Sequence, residues 1–272
     1  MRLWKRRAAV SGEGRAFSPP WAWAAVGVAL GLLLVLVLTA PARWLTQGIY
    51  QASRGMVQLT EPAGTLWTGS ARLVLTGGAG SQDVTALPGR VQWRLRPTWS
   101  GVRAAVTADC CTSSGPVDLV VRPVWGGARV VIADSQSQWP AAVLTGLGTP
   151  WNTVRPQGEL TLATRGLALE TVSGRLALTG TAEVTLRHLS SRLSTLQPLG
   201  SYRVQVQGGD AISLDLSTLE GALRLSGNGQ WVGSRLRFNG EASAAPGQEP
   251  QLANLLNIIG RRQGERAIIS IG

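Results

Sequence analysis

Val91-Gln-Trp-Arg-Leu-Arg96 alternates apolar and polar side chains without a break. A period of two puts Val91, Trp93 and Leu95 on one face of a strand and Gln92, Arg94 and Arg96 on the other. That is the pattern of a sheet with one face buried and one in water. The same alternation recurs on both sides of this segment. Val184 and Leu186 oppose Glu183, Thr185 and Arg187, while Tyr202, Val204 and Val206 oppose Arg203, Gln205 and Gln207. Further strands are predicted over Leu73–Leu75, Val117–Val121, Leu160–Leu162, Leu176–Leu178, Ile212–Leu216, Leu223–Leu225 and Leu236–Phe238. Gly174, Gly180, Gly208-Gly209-Asp210, Gly221 and Gly227-Asn228-Gly229 punctuate them as turns, where positive φ is needed.

Short strands separated by turns predict an all-β domain built as a long, twisted antiparallel sheet. Gly158-Glu-Leu-Thr-Leu, Gly174-Arg-Leu-Ala-Leu and Gly221-Ala-Leu-Arg-Leu share a pattern at irregular spacing, which suggests repeated hairpins and not a strict solenoid. Whether the sheet curves into a trough or closes on itself is left open.

Helical periodicity is confined to the ends of this domain. Leu45, Ile49, Ala52 and Met56 recur at helical spacing among Gln47, Gln51 and Arg54, predicting a short amphipathic helix. Near the other end Pro250 opens a run with Leu252, Leu255, Leu256 and Ile259 on one face. Gly260 ends it, Arg261-Arg262 sit at its C-terminal end, and Arg266–Ile271 reads as a final strand.

From Trp21 to Leu38 the chain carries no charge, and at 1.5 Å per residue eighteen helical residues span roughly 27 Å, close to the hydrocarbon thickness of a bilayer. Leu32, Leu33, Leu34, Leu36 and Leu38 supply its apolar bulk, with Trp21 and Trp23 before it and Trp44 after it at headgroup level. Arg2, Lys5, Arg6, Arg7 and Arg15 precede it against Glu13 alone, so the N-terminus is expected in the cytoplasm and the domain beyond the membrane. Ala40-Pro41-Ala42 has the small-x-small look of a signal-peptide cleavage site. Signal-peptide cores are shorter, about 7–15 residues, and the proline is awkward for cleavage, so an uncleaved anchor is the preferred reading. The expected division is a basic tail over 1–20, an anchor over 21–39, a juxtamembrane helix over 40–58 and an exported β domain over 59–272.

The net charge is +11 over 272 residues, but the tail supplies a good part of it. The remaining arginines are dispersed over separate strands, with no run longer than Arg261-Arg262, which argues against a phosphate-tracking nucleic-acid stripe. A single histidine, His188, has no second ligand at metal spacing and no nucleophile elbow near it. Gly64-Thr-Leu-Trp-Thr-Gly69-Ser70 has phosphate-loop glycine spacing without the lysine, and reads as a hairpin entry. Asp109, Asp118, Asp134, Asp210 and Asp215 are scattered. No catalytic residue, metal ligand, cofactor site or small-molecule substrate is predicted. The adjacent Cys110 and Cys111 could close a vicinal ring, pair with another chain or remain free thiols, and nothing nearby decides among these. Trp67, Trp99, Trp125, Trp139, Trp151 and Trp231 are expected mostly in the core.

Several stretches taken together resemble a known family. They are the basic tail with its single anchor, the Ala40-Pro-Ala42 exit, Gly64-Thr-Leu-Trp-Thr-Gly-Ser-Ala71, Leu87-Pro-Gly-Arg-Val-Gln-Trp-Arg-Leu-Arg-Pro97, Pro198-Leu-Gly-Ser-Tyr202, Gly227-Asn-Gly-Gln-Trp231 and the helix over Leu252–Gly260. In order and pattern they are similar to the general secretion pathway protein N family, accessory inner-membrane subunits of the bacterial type II secretion system. The resemblance implies a single-pass inner-membrane protein whose periplasmic β domain assists a machine exporting folded proteins. It also implies partners among the other secretion subunits, and no catalytic residues. Exposed sheet edges offer those partners strand addition. Members also look similar to AsmA-like envelope proteins, whose long sheets form apolar troughs for lipid, and this supplies the alternative of a lipid-binding or lipid-transfer module.

Overall fold

The computed structural model describes residues 21–272 apart from 79, 150, 173, 174 and 234. The expected cytoplasmic tail over 1–20 and the turn glycine Gly174 lie outside the described residues. The chain forms two compact units that meet between Thr39 and Ala40. The first holds helix α1, Trp21–Leu38, all of whose residues are exposed. An apolar surface of that length left bare is what a bilayer-spanning helix presents.

The second unit begins with α2, Arg43–Ala52, and continues into strands β1 Val57–Gly64, β2 Thr68–Thr76, β3 Val84–Ala86, β4 Val91–Thr98, β5 Gly101–Ala108, β6 Val117–Val124, β7 Gly127–Ile132 and β8 Ser135–Pro140. A 3₁₀ helix, Ala141–Leu147, and a single turn, α3 Trp151–Val154, follow. The second half contains β9 Gln157–Val172, β10 Arg175–Ser190, β11 Gly200–Gln207, β12 Ser213–Gly221, β13 Leu223–Val232, β14 Arg235–Ala244, α4 Glu249–Ile259, β15 Arg261–Gln263 and β16 Arg266–Ile271. The strands form one open sixteen-stranded sheet in nearly sequential order, with β15 outside β16 at one edge and β3 and β8 as side branches. Every pairing is antiparallel. The expected long antiparallel sheet is therefore present, with an open edge at β1 and at β15.

Three expectations change in detail. The helical stripe stops before Met56, because Arg54 and Gly55 take positive φ (53° and 82°) and turn the chain into β1, leaving Met56 exposed. β1 thus starts before residue 65. Gly180 and Gly227-Asn228-Gly229 lie inside strands and are not turns. Gly180 faces a bulge at Gly166 (φ 57°), where β9 carries an extra residue between Arg165 and Ala168. At Gly227 a Cβ would come within 2.5 Å of the Phe238 ring, so the ring occupies the space that a side chain on β13 would fill. Arg261-Arg262 is the start of β15, not the tail of α4.

The apolar face predicted from the alternation is buried by the helices. Leu252, Leu255 and Leu256 of α4 are at most 1% exposed and pack with Leu186, Leu199, Tyr202, Leu223, Ala242 and Ala267. Burying such leucines is worth about 2 kcal/mol each, which is why this short helix holds its place. At the other end of the sheet the 3₁₀ helix places Val143 against Leu87, Val91, Ala108 and Cys111. α2 closes a smaller cluster in which Ala42 and Leu45 meet Ala71, Trp93 and Leu59.

Candidate functional site

A pocket opens on the apolar face where β9 changes partner. β7 pairs with β9 from Gly127 to Val131, and β8 takes over at Ser135, which pairs with Thr164. Asp134, between them, accepts the backbone N–H of Gly166 at 2.7 Å and fixes the switch at the bulge. β6 stays with β7 and so diverges from β8, leaving a wedge between β5–β6 and β8–β9.

The loop after β5 closes one side of this wedge. The Gln138 N–H donates to the Cys111 carbonyl at 2.9 Å, and the Ser114 hydroxyl donates to the Gln136 carbonyl at 2.6 Å. The half-open pocket measures about 240 Å³, and Val106, Val117, Leu119, Ile132, Leu162 and Leu167 are among the residues that wall it. Ser137 and Trp139 also line it, but their polar atoms are paired with each other, Trp139 Nε1–H to Ser137 Oγ at 2.8 Å. An apolar cavity with its few polar groups already satisfied offers dispersion contacts and no orienting hydrogen bonds, so it suits a chain-like apolar group better than a polar metabolite.

The residues singled out for chemistry do not converge. His188 sits in a bulge between Leu186 and Leu189, with φ 50°, and is exposed. Its backbone N–H donates to Ser201 Oγ at 3.3 Å. The bulge turns it away from the apolar face that its parity with Val184 and Leu186 implies. Gly64–Ser70 forms the β1–β2 hairpin. Asp109 accepts the Arg90 backbone N–H, Asp134 serves the bulge, and Asp118, Asp210 and Asp215 are exposed. No group of His, Cys, Asp and Glu suited to a metal ion occurs among the described residues. One strongly perturbed group stands out: burial pushes the Tyr202 phenol up from its ordinary value of 10.0, and its hydroxyl donates to the Leu223 carbonyl at 2.9 Å in the core. That is a hydrogen bond within the core, donated to a backbone carbonyl.

Cys110 and Cys111 are bonded to each other in the structure, with Cys111 buried beside Leu87 and Val143. Their loop is the one that closes the cavity, and Thr112 lines it. The anchor residues Trp21, Trp23, Leu32, Leu33, Leu34, Leu36 and Leu38 are all more than half exposed on α1, and Trp44 is exposed on α2. Of the other tryptophans, Trp67, Trp139, Trp151 and Trp231 are half-buried. Trp93 is core, at 5% exposed, whereas Trp99 and Trp125 are bare at 108% and 99%, against the expectation that they are core. Each occupies the tip of a two-residue hairpin, where no neighbouring strand can cover it. Sequence reasoning missed the cavity altogether, because it arises from a change of strand partner, which leaves no local pattern.

The class of protein so defined is a large open antiparallel sheet with an apolar pocket, preceded by a helix long and apolar enough to cross a membrane. The chain belongs to the type II secretion system protein N family: the family described as Type II secretion system (T2SS), protein N matches residues 55–269, which is nearly the whole sheet. It is thus an accessory component of that secretion system, of a family with no catalytic role, and its N-terminal apolar helix fits a single-pass inner-membrane protein. No curated protein and no solved structure matches the chain.

Proposed function

We propose that the chain is a single-pass inner-membrane subunit, with its N-terminus in the cytoplasm and its sheet in the periplasm, that assists assembly or operation of the type II secretion machine through contacts with other secretion subunits. The observation that carries this reading is the family match to residues 55–269, because it falls on the sheet and not on the anchor. The sheet's edges narrow the mode of contact. β1 is broken by a bulge at Glu61-Pro62, and β15 is a three-residue strand opening with Arg261-Arg262, both devices that guard an edge. Strand addition at these edges is disfavoured, and contacts through the faces and hairpin tips take its place.

Deleting the gene in the parent bacterium is expected to lower the release of secreted exoproteins, with recovery on re-expressing the full chain. Normal secretion in the deletion strain, together with failure of the full chain to co-purify with any secretion subunit, overturns the reading.

The cavity favours a second reading, in which the sheet binds or transfers lipid as AsmA-like proteins do. Its wall of Val117, Leu119, Ile132, Leu162 and Leu167 suits an acyl chain. Native mass spectrometry of the full chain released from nanodiscs is expected to show one retained lipid under this reading. Retention unaffected by Leu119→Trp, which fills the cavity, counts against it.

A further inference from the structure

Trp99 and Trp125 share one end of the sheet with the residue at which the chain enters it. The Leu66 N–H donates to the Ala40 carbonyl at 2.7 Å, Pro41 bridges to Thr65, and the Ala42 N–H donates to the Gly64 carbonyl. Ala40 and Ala42 are buried at 1% and 2%, so the chain's entry is built into the β1–β2 turn. That turn lies beside Arg94 and Leu95: Thr68 pairs with Arg94, and the Leu95 N–H donates to the Trp67 carbonyl. From there β4 runs on through Arg96, Pro97 and Thr98 to Trp99, on the order of 13 Å at strand rise. Trp125 tips the next hairpin but one at the same end, since Val102 pairs with Val121 and Val124 with Gly127. Two strand spacings separate the two tips, about 10 Å.

The charges around these tips are predominantly basic, with Asp118 on β6 and Glu170 on β9 as acids on that face. Arg94, Arg96, Arg103 and Arg122 are exposed on the outward face of β4, β5 and β6, and none has a carboxylate within ion-pair distance among the described residues. Arg96 pairs directly with Arg103, and Arg122 with Arg129, which Glu170 neutralises at 3.6 Å. Like charges directly opposite across a ladder destabilise it. Leaving the Arg96–Arg103 pair without an internal acid is tolerable where an external anion answers it. Farther along the same end, the β11–β12 and β13–β14 tips carry Gly208, Gly209, Asp210 and Gly233, with no aromatic. Among the described residues from Ala40 on, the two barest tryptophans are therefore those at the β4–β5 and β6–β7 tips.

We propose that this end of the sheet is a membrane-docking rim, in which Trp99 and Trp125 seat in the interfacial zone of the bilayer and Arg94, Arg96, Arg103 and Arg122 bind its lipid phosphates. The proposal rests on the reading that Trp21–Leu38 spans that bilayer, because Leu38 precedes Ala40 by two residues and so holds this end of the sheet within reach of the membrane surface. Indole prefers the interfacial zone, with its ring among the upper methylenes and its N–H toward the headgroups. Guanidinium is the side chain suited to bidentate phosphate contact.

The test uses the full chain reconstituted into bilayers of phosphatidylethanolamine and phosphatidylglycerol, as wild type and as Trp99→Ser/Trp125→Ser. Subtracting the two emission spectra isolates the tip indoles from the remaining tryptophans. Lipid brominated near the top of the acyl chain is expected to quench this difference emission roughly twofold or more, while aqueous acrylamide leaves it little changed. Arg96→Glu/Arg103→Glu in the wild-type tryptophan background is expected to reverse that pattern. Difference emission open to acrylamide and indifferent to brominated lipid overturns the proposal. So does emission shielded from both, which means that a protein surface covers the tips. Quenching unchanged by the arginine reversal removes the arginines from the rim. Alkaline carbonate extraction separates the two levels: a chain that washes off the bilayer sinks the anchoring reading itself, whereas a retained chain with water-exposed tips sinks the rim alone.

Discussion

The two halves of the sheet share one alternation and cover its apolar face differently. On β10–β16, α4 lies across the face and seals it: Leu252, Leu255 and Leu256 are at most 1% exposed against Tyr202, Leu223, Ala242 and Ala267. On β4–β8 the covering piece is the 3₁₀ helix, which inserts Val143 over Leu87, Val91 and Ala108 but leaves the wedge of about 240 Å³ beside Leu119 and Leu162 unfilled. The tips differ in the same sense, with glycine and aspartate in the second half and Trp99 and Trp125 in the first. The face beneath α4 is therefore packed shut, whereas the pocket and the two tryptophan tips of the first half leave apolar surface open.

The largest effect is expected where the seal is complete. Leu256→Ala removes a side chain with no exposed area from among close neighbours, so it should destabilise the full chain in detergent by about 3 kcal/mol. Leu119→Ala enlarges a wall that is already open and should cost about 1 kcal/mol, since fewer contacts are lost. Urea unfolding followed by circular dichroism measures both, and equal losses would erase the contrast between the halves.

Next in size is the Gly227 site. A methyl there would meet the Phe238 ring at 2.5 Å and the backbone of Asn239 and Gly240 at 2.7 Å, and only the ring can move. Gly227→Ala is expected to cost about 2 kcal/mol, and adding Phe238→Leu should recover part of it, a non-additivity that marks direct contact. Strict additivity in the double mutant would show that the ring does not take the glycine's side-chain space.

This glycine also marks how far sequence reasoning reaches. Period-two alternation located β2, β4, β6 and β9–β14 because each has one wetter and one more buried face, and the α4 stripe was legible for the same reason. β5 and β7 escaped it. Gly-Val-Arg-Ala-Ala-Val-Thr-Ala is too rich in alanine to show two faces, and Gly-Ala-Arg-Val-Val-Ile breaks the alternation at Val130-Val131. Gly227-Asn-Gly229 carries a turn signature, but its meaning depends on Phe238 one strand away, a partner that local pattern cannot supply. The cavity and the rim are longer-range still, since the first depends on β9 exchanging β7 for β8 and the second on which hairpin tips share the end where Ala40 enters. The apolar helix over Trp21–Leu38 was legible throughout, being a matter of composition alone.

A smaller effect is expected at Tyr202. Tyr202→Phe leaves the Leu223 carbonyl without its 2.9 Å donor in the sealed half and should cost about 1 to 2 kcal/mol at neutral pH. The pH dependence has a definite sign. The phenol's pKa in the folded chain lies above its ordinary value of 10.0, so above that pH the unfolded chain releases a proton that the folded chain keeps. Stability from this group is complete below pH 10.0 and declines as the pH rises beyond it toward the folded value. The wild type should therefore lose its margin over Tyr202→Phe in that alkaline range. A margin that stays constant there would mean that Tyr202 is not held protonated by burial.

The smallest expected change in stability is at the tips. Trp99→Ser and Trp125→Ser remove side chains that touch nothing to speak of, so each should leave unfolding in detergent within about 0.5 kcal/mol of wild type. Trp93→Ala, one hairpin arm away, should cost about 4 kcal/mol, because that indole is 5% exposed and its Nε1–H donates to the Leu66 carbonyl at 3.0 Å. The two tryptophans are six residues apart on the same strand and its turn, one spent on the core and the other on nothing inside the chain. If Trp99→Ser proved as damaging as Trp93→Ala in detergent, the tip would belong to the fold. If it mattered only in bilayers, the indole would be holding the protein to its surroundings, which is how a bare hairpin tip differs from the face packed beneath α4.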